Sequence, residues 1–177
     1  MLSRIDISKI IKAHYKSLRN LNGGTIAFPD IVLFIIIPLV TSGYLLYKDI
    51  SIKSQISSLV TALSILAGFL FNLLAIIHNS LGKIKKELKA QSISNDSLNL
   101  KLRFANEIHA NISYNILIAI ITVVSLVLYG INIEISNKYL NNLILELLNF
   151  VCSSFMIHFL FTLIMILNRI YILLDKE

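Results

Sequence analysis

Four stretches of this chain hold no charged residue: Ile31–Tyr47, Ser54–Gly82, Ile108–Ile133 and Leu147–Asn168. A helix needs roughly 20 apolar residues to cross the hydrocarbon core, with about 17 as the lower limit. Backbone polar groups must be satisfied within the segment in lipid, so such stretches fold as helices. A soluble domain usually carries about a quarter charged residues. Here only 15% of 177 residues are charged and 56% are hydrophobic. The chain therefore reads as an all-α integral membrane protein. Its four transmembrane helices fall at 31–47, 58–78, 111–130 and 147–168, within a single membrane domain covering 1–177.

Thirty mostly polar residues precede the first span. A cleavable signal peptide has a short basic start and an early apolar core. Ile31–Tyr47 is therefore expected to be a permanent span. The one cysteine, Cys152, lies inside the fourth window. It has no partner for an internal disulfide, and a small buried hydrophobe is the simplest reading of it.

Basic residues in the connecting segments set orientation. Arg4, Lys9, Lys12, Lys16 and Arg19 precede span one. Lys83, Lys85, Lys86, Lys89, Lys101 and Arg103 lie between spans two and three. Arg169 and Lys176 follow span four. Only Lys48, Lys53 and Lys138 occupy the other two links, so the balance is thirteen against three. That asymmetry places both termini and the middle segment in the cytoplasm. Tyr44, Tyr47, Tyr129 and Tyr171 stand near span ends, where an apolar ring with a wet hydroxyl is favoured.

Residues 5–20 form an amphipathic helix by spacing, with Ile7, Ile10, Ile11, His14 and Leu18 on one side. Asn22–Gly24 then breaks it. Such a basic helix suits an anionic leaflet, and equally suits packing on the protein's own helices. Segment 79–110 extends spans two and three as a cytoplasmic helical hairpin, turning at Gln91–Asp96. The stretch Leu143–Leu174 is longer than a bilayer needs, so it must tilt, kink or protrude.

Polar and small residues recur at steps of three or four within the spans, which puts them on single helix faces. Thr61, Ser64, Gly68, Asn72, Ala75 and Asn79 do so in span two. Asn115 and Thr122 share a face in span three, and His158 and Thr162 share one in span four. Stripes of this kind are ordinary packing seams between membrane helices. They are also what lines a water-filled path, and deep polar residues face a cavity or a partner. The pore-lining candidates are Thr61, Ser64, Gly68, Asn72, Asn115, Thr122, His158 and Thr162. The candidates for an anionic ligand or partner are Lys83, Lys85, Lys86, Lys89, Lys101, Arg103 and Arg169. Lipid headgroups account for the same positive charge.

No span carries Asp or Glu at its centre, which argues against an ion-coupled relay. There is no phosphate-cradling glycine loop, no Gly-x-Ser-x-Gly elbow and no His-Glu-x-x-His pair. The four histidines show no nucleophile–base arrangement and no metal-ligand spacing. The expectation is a non-enzyme with no cofactor and no metal.

The segment Ser64–Asn79, "SILAGFLFNLLAIIHN", and the Ile- and Asn-rich character of the chain resemble small four-span membrane proteins of bacterial antiphage defence systems. Two types are similar in architecture: the Hailong-type membrane channel effector and the Kiwa-type membrane subunit. The first implies a homo-oligomeric ion channel, for instance a tetramer, controlled by the nucleotide product of a partner enzyme. Opening would depolarise the membrane. The second implies a non-conducting anchor or phage sensor that recruits a cytosolic effector. Neither implies sequence-specific nucleic-acid binding. Membrane lipid and a cytosolic defence partner are the expected partners.

Overall fold

The computed structural model describes residues 6–18, 28–90, 96–131 and 137–175. Arg4, Arg19, the break at Asn22–Gly24, the turn residues Gln91–Asn95 and Lys176 lie outside the described residues. Helices are the only regular elements among those described. Helix α1 is Ile7–Ser17. Helix α2 runs Phe28–Tyr47, and its stretch Val32–Ile36 is wound as a π-helix. Helix α3 is Ile56–Ala90, entered through a 3₁₀ turn at Lys53–Gln55. Helices α4 and α5 are Asp96–Gly130 and Lys138–Asp175. Four helices, α2 to α5, are long and apolar enough to cross a membrane. This is a multi-pass membrane protein.

Each element has a local cause. Pro38 sits near the start of the regular part of α2. Proline removes the i→i−4 donor and crowds the carbonyl four residues back, so a disturbed turn belongs just ahead of it. Asn137 starts α5 by accepting from the backbone N–H of Tyr139 and Leu140 through Oδ1. That cap satisfies donors a helix start leaves orphaned. It begins α5 at Lys138, five residues ahead of the expected Leu143. Helices α3 and α4 have 35 residues each, or about 52 Å at the usual rise, against a hydrocarbon core of roughly 30 Å.

The chain divides into two compact units, and three of the four divisions fall inside the long helices α3, α4 and α5. No change of composition marks those points. Unit 1 comprises 1–27, 69–116 and 162–177. Its packed interior includes Ile77, Leu81, Ala105, Ile108, Ile112 and Ile166. Helix α1 belongs to it, with His14 and Ser17 buried. The choice between a leaflet and the protein's own helices thus falls to the protein for this face. Ile7 and Ile11 stay exposed.

Unit 2 comprises 28–68 and 117–161. Phe34, Leu63, Leu126, Cys152 and Phe159 are buried in it. The link before α3 is tied down by side chains. Asn149 donates to the carbonyl of Ile50 and accepts from the N–H of Ile52. Ser51 Oγ and Tyr129 Oη lie 2.8 Å apart. Tyr129 is therefore buried and bonded inside the protein, whereas Tyr44, Tyr47 and Tyr171 are exposed, as interfacial residues are. Asp49 turns the link with a left-handed φ of 54°, which aspartate tolerates better than most residues.

Candidate functional site

In unit 1 a polar cluster joins α1 to α4 and α5. His14 is fully buried. Its ring stacks on Tyr114 with centroids 3.8 Å apart and planes 7° from parallel. Its Nδ1 lies 2.8 Å from Asn111 Oδ1, an acceptor, so Nδ1 carries the proton. Ser17 Oγ lies 2.7 Å from the His14 carbonyl and 2.8 Å from the same Asn111 oxygen. Arg169 on α5 donates from Nη2 to the Ser17 carbonyl and from Nη1 to Glu107 Oε2. Arg103 donates from Nε to Glu107 Oε1 at 3.1 Å. The Arg169 bond satisfies the Ser17 carbonyl at the last turn of α1, which would otherwise be an orphan of the helix end.

Beside this cluster an open cavity of about 620 Å³ lies between α1 and α4. Ala13, Lys16 and Ser17 line it from α1. Asn99, Arg103, Asn106 and Glu107 are the polar residues of its α4 wall. The spacing puts each set on one face of its helix.

His78 on α3 and His109 on α4 meet with ring centroids 6.1 Å apart. The His109 imidazole is held below the ordinary value of 6.5, first by burial and then by the charges of His78 and Lys85. Among the described residues, no group of three or more His, Cys, Asp or Glu is placed to hold a metal ion.

The expected pore-lining residues separate into two sets. Thr61, Ser64, Gly68 and Asn72 are all exposed along α3, together with Ala75 and Asn79. A Cβ built on Gly68 meets nothing within 4 Å. Asn115, Thr122, His158 and Thr162 are buried instead. Thr122 returns its hydroxyl to the Ile118 carbonyl. His158 Nδ1 lies 2.7 Å from the Phe34 carbonyl, within unit 2. Asn115 is fully buried, and among the described residues neither its Oδ1 nor its Nδ2 has a hydrogen-bond partner.

The expected anion-binding residues also separate. Lys83, Lys85, Lys86 and Lys89 are exposed on α3. Arg103 instead lines the cavity beside Lys16. Lys101 borders a different, smaller groove with Phe104 and Ile172. Arg169 is largely buried and engaged by Glu107. Ser17, Asn99, Asn106 and Glu107 were not expected at a site, and Lys16 counted only towards orientation. Asn99, Arg103, Asn106 and Ala110 recur at helical steps on one side of α4, which is the signal that could have found them.

Compared with protein-family models, with curated proteins and with solved structures, the chain finds no match.

Proposed function

We propose that the protein is a homo-oligomeric ion channel of a bacterial inner membrane, with the exposed stripe of α3 facing its conducting path. It acts as an antiphage defence effector: a ligand on the basic cytoplasmic face opens it and the membrane depolarises. The observation that carries this is the exposure of Asn72. It stands within an apolar span, and its amide has water or a polar partner to meet only if another copy or a lumen lies beside α3. A symmetric assembly supplies both, because α3 from each copy then surrounds the axis. The buried set supports the same choice of helix, since Thr122 and His158 already spend their polar groups inside the chain. The resemblance of Ser64–Asn79 to spans of defence membrane proteins supports the role.

The test is planar-bilayer recording of the purified protein beside Asn72→Leu. The reading predicts current from the first and its loss in the second, with the same particle size in detergent. Identical single-channel currents would remove α3 from the path. A second reading, a non-conducting anchor or phage sensor, draws on the exposed lysines Lys83, Lys85, Lys86 and Lys89 as a docking surface. Absence of current together with capture of a cytosolic partner, lost on charge reversal of Lys85 and Lys86, would favour it.

A further inference from the structure

The cavity between α1 and α4 has a charge pattern that asks for an anion. Two cations line the cavity and a third stands close behind. Lys16 comes from α1 and Arg103 from α4, both lining the cavity. Arg169 stands behind the shared carboxylate. Among the described lining residues Glu107 is the one acid, and both its oxygens are already bonded, Oε1 to Arg103 and Oε2 to Arg169. The local balance is therefore positive. Lys16 is exposed, and the side chain of Arg103 is about half exposed, so a ligand from water reaches both.

The donors have the right form as well. Arg103 meets Glu107 through Nε, which leaves the chemistry of its Nη groups for a second oxyanion. A guanidinium fork and an ammonium on facing helices match the tetrahedral oxygens of a phosphate. Asn99 and Asn106 add amide donors and acceptors along the same wall. Ala13, Leu102 and Ala110 supply an apolar floor. The volume lies within the range of roughly 300–1,000 Å³ common to small-molecule sites.

We infer that the α1–α4 cavity binds a phosphate group of a small phosphorylated molecule, held between Lys16 and Arg103. Two sources carry that chemistry, a free phosphorylated metabolite of nucleotide size and a phospholipid headgroup. Binding has a structural consequence because Lys16 follows His14 by two residues and precedes Ser17. A phosphate bridging the two cations adds a further tie to the seam already made by His14, Ser17, Asn111 and Arg169. It favours the docked position of α1 over an undocked one by its differential affinity for the two. The inference deepens the proposed control of the channel and rests on that reading for its consequence, though not for the binding itself.

The experiment is isothermal titration of the full chain in detergent with ATP and with inorganic pyrophosphate. Lys16→Gln, Arg103→Gln and Lys138→Gln are compared, with helicity checked by circular dichroism. Lys16→Gln alters a water-exposed side chain, so it keeps the test alive if Arg103→Gln unfolds. The expected result is binding by the parent chain that weakens about tenfold in the first two and is unchanged in Lys138→Gln, as charge-assisted bonds to phosphate are the strong ones. A parallel arm measures retention of phosphatidylglycerol in nanodiscs. Retention that depends on Lys16 and Arg103, without binding of free phosphates, assigns the same site to a headgroup. Phosphate or lipid binding indifferent to both residues overturns the inference, as does binding in neither arm. Binding without any bilayer current would reject the channel and leave the site standing. Current without binding in either arm would do the reverse.

Discussion

His158 donates from Nδ1 to the carbonyl of Phe34 at 2.7 Å, and Phe34 stands four residues before Pro38. That carbonyl is the one whose regular helical donor the proline lacks. Membrane helices tolerate proline because neighbouring helices re-satisfy the freed groups. Here the histidine on α5 does so for α2. Its ring also meets the Phe34 ring edge-on, with centroids 6.3 Å apart. A polar residue that reads as a pore-lining candidate in the sequence thus has a structural task inside unit 2. His158→Leu should lower the thermal stability by about 1–3 kcal/mol, the usual cost of stranding a buried polar group. In a Pro38→Ala background, position 38 regains an N–H for Phe34, so the same substitution should cost less. The double-mutant cycle, read by melting in detergent, isolates that coupling. Equal losses in both backgrounds would separate His158 from the proline.

The seam of α1 gives a second expectation. His14 is buried between Tyr114 and Asn111, and Ser17 shares the Asn111 oxygen. His14→Leu keeps the helix pattern of α1 but leaves that oxygen short of one donor in the interior. It should undock α1 without melting the spans. Limited proteolysis after residue 18 checks this: the variant should be cut faster than the parent chain while the long helices stay intact. Equal cleavage rates would mean that Leu18 packing and the Ser17 bonds to Asn111 and Arg169 hold α1 without His14.

Acid should loosen the meeting of α3 and α4 at His78 and His109. The folded state holds the His109 imidazole below its ordinary 6.5, by burial first, then by His78 and Lys85. Above 6.5 both folded and unfolded chains are neutral there and nothing changes. As pH falls through 6.5 the unfolded chain takes the proton first, so stability declines, and the decline ends below the folded value. Melting followed from pH 8 to pH 5 should show this loss in the parent chain and a flatter profile in His109→Gln. Matching profiles would place the acid sensitivity elsewhere.

How much of this was readable in the sequence depends on what sets each feature. The four long helices follow from charge-free length alone, which no tertiary contact overrides in a chain so apolar. The disturbed turn in α2 follows from Pro38, a local steric fact. The rotation of each helix about its axis is different. It decides that Arg103 looks toward Lys16 and not toward the lysines of α3, and that Asn72 is exposed while Asn115 is buried. Helical spacing says which residues share a face, but several faces of each span carry similar apolar residues. Only packing chooses among them. The docking of α1 was equally open, because His14 and Ser17 fit a leaflet boundary as well as a buried seam until Asn111 and Tyr114 are seen against them.

The exposed face of α3 offers a test that leaves the folded chain alone. A Cβ at Gly68 has nothing within 4 Å among the described residues. Gly68→Ala should therefore keep or slightly raise helix stability, by up to about 1 kcal/mol from propensity. Gly68→Leu should fold as well but fill whatever the stripe borders. If α3 surrounds a path, Gly68→Leu should reduce single-channel current at unchanged helicity. If α3 only faces lipid, both variants should conduct as the parent chain does.

Asn115 separates a packing role from a conducting one most sharply. Its amide is fully buried, one helical turn from Asn111, and among the described residues neither polar atom has a hydrogen-bond partner. Leaving both atoms unbonded in an apolar interior costs about 1–3 kcal/mol each, while replacing the group by a similar-sized apolar one removes that cost. Asn115→Leu should therefore raise the melting temperature in detergent. Natural chains keep such a defect where function uses it, for a water or for a second arrangement of the helices. The stabilised variant should then respond less to whatever opens the channel, measured as open probability at fixed ligand. A variant that melts lower than the parent chain would show that Asn115 is bonded in the native membrane state, and that its polarity holds the helices together.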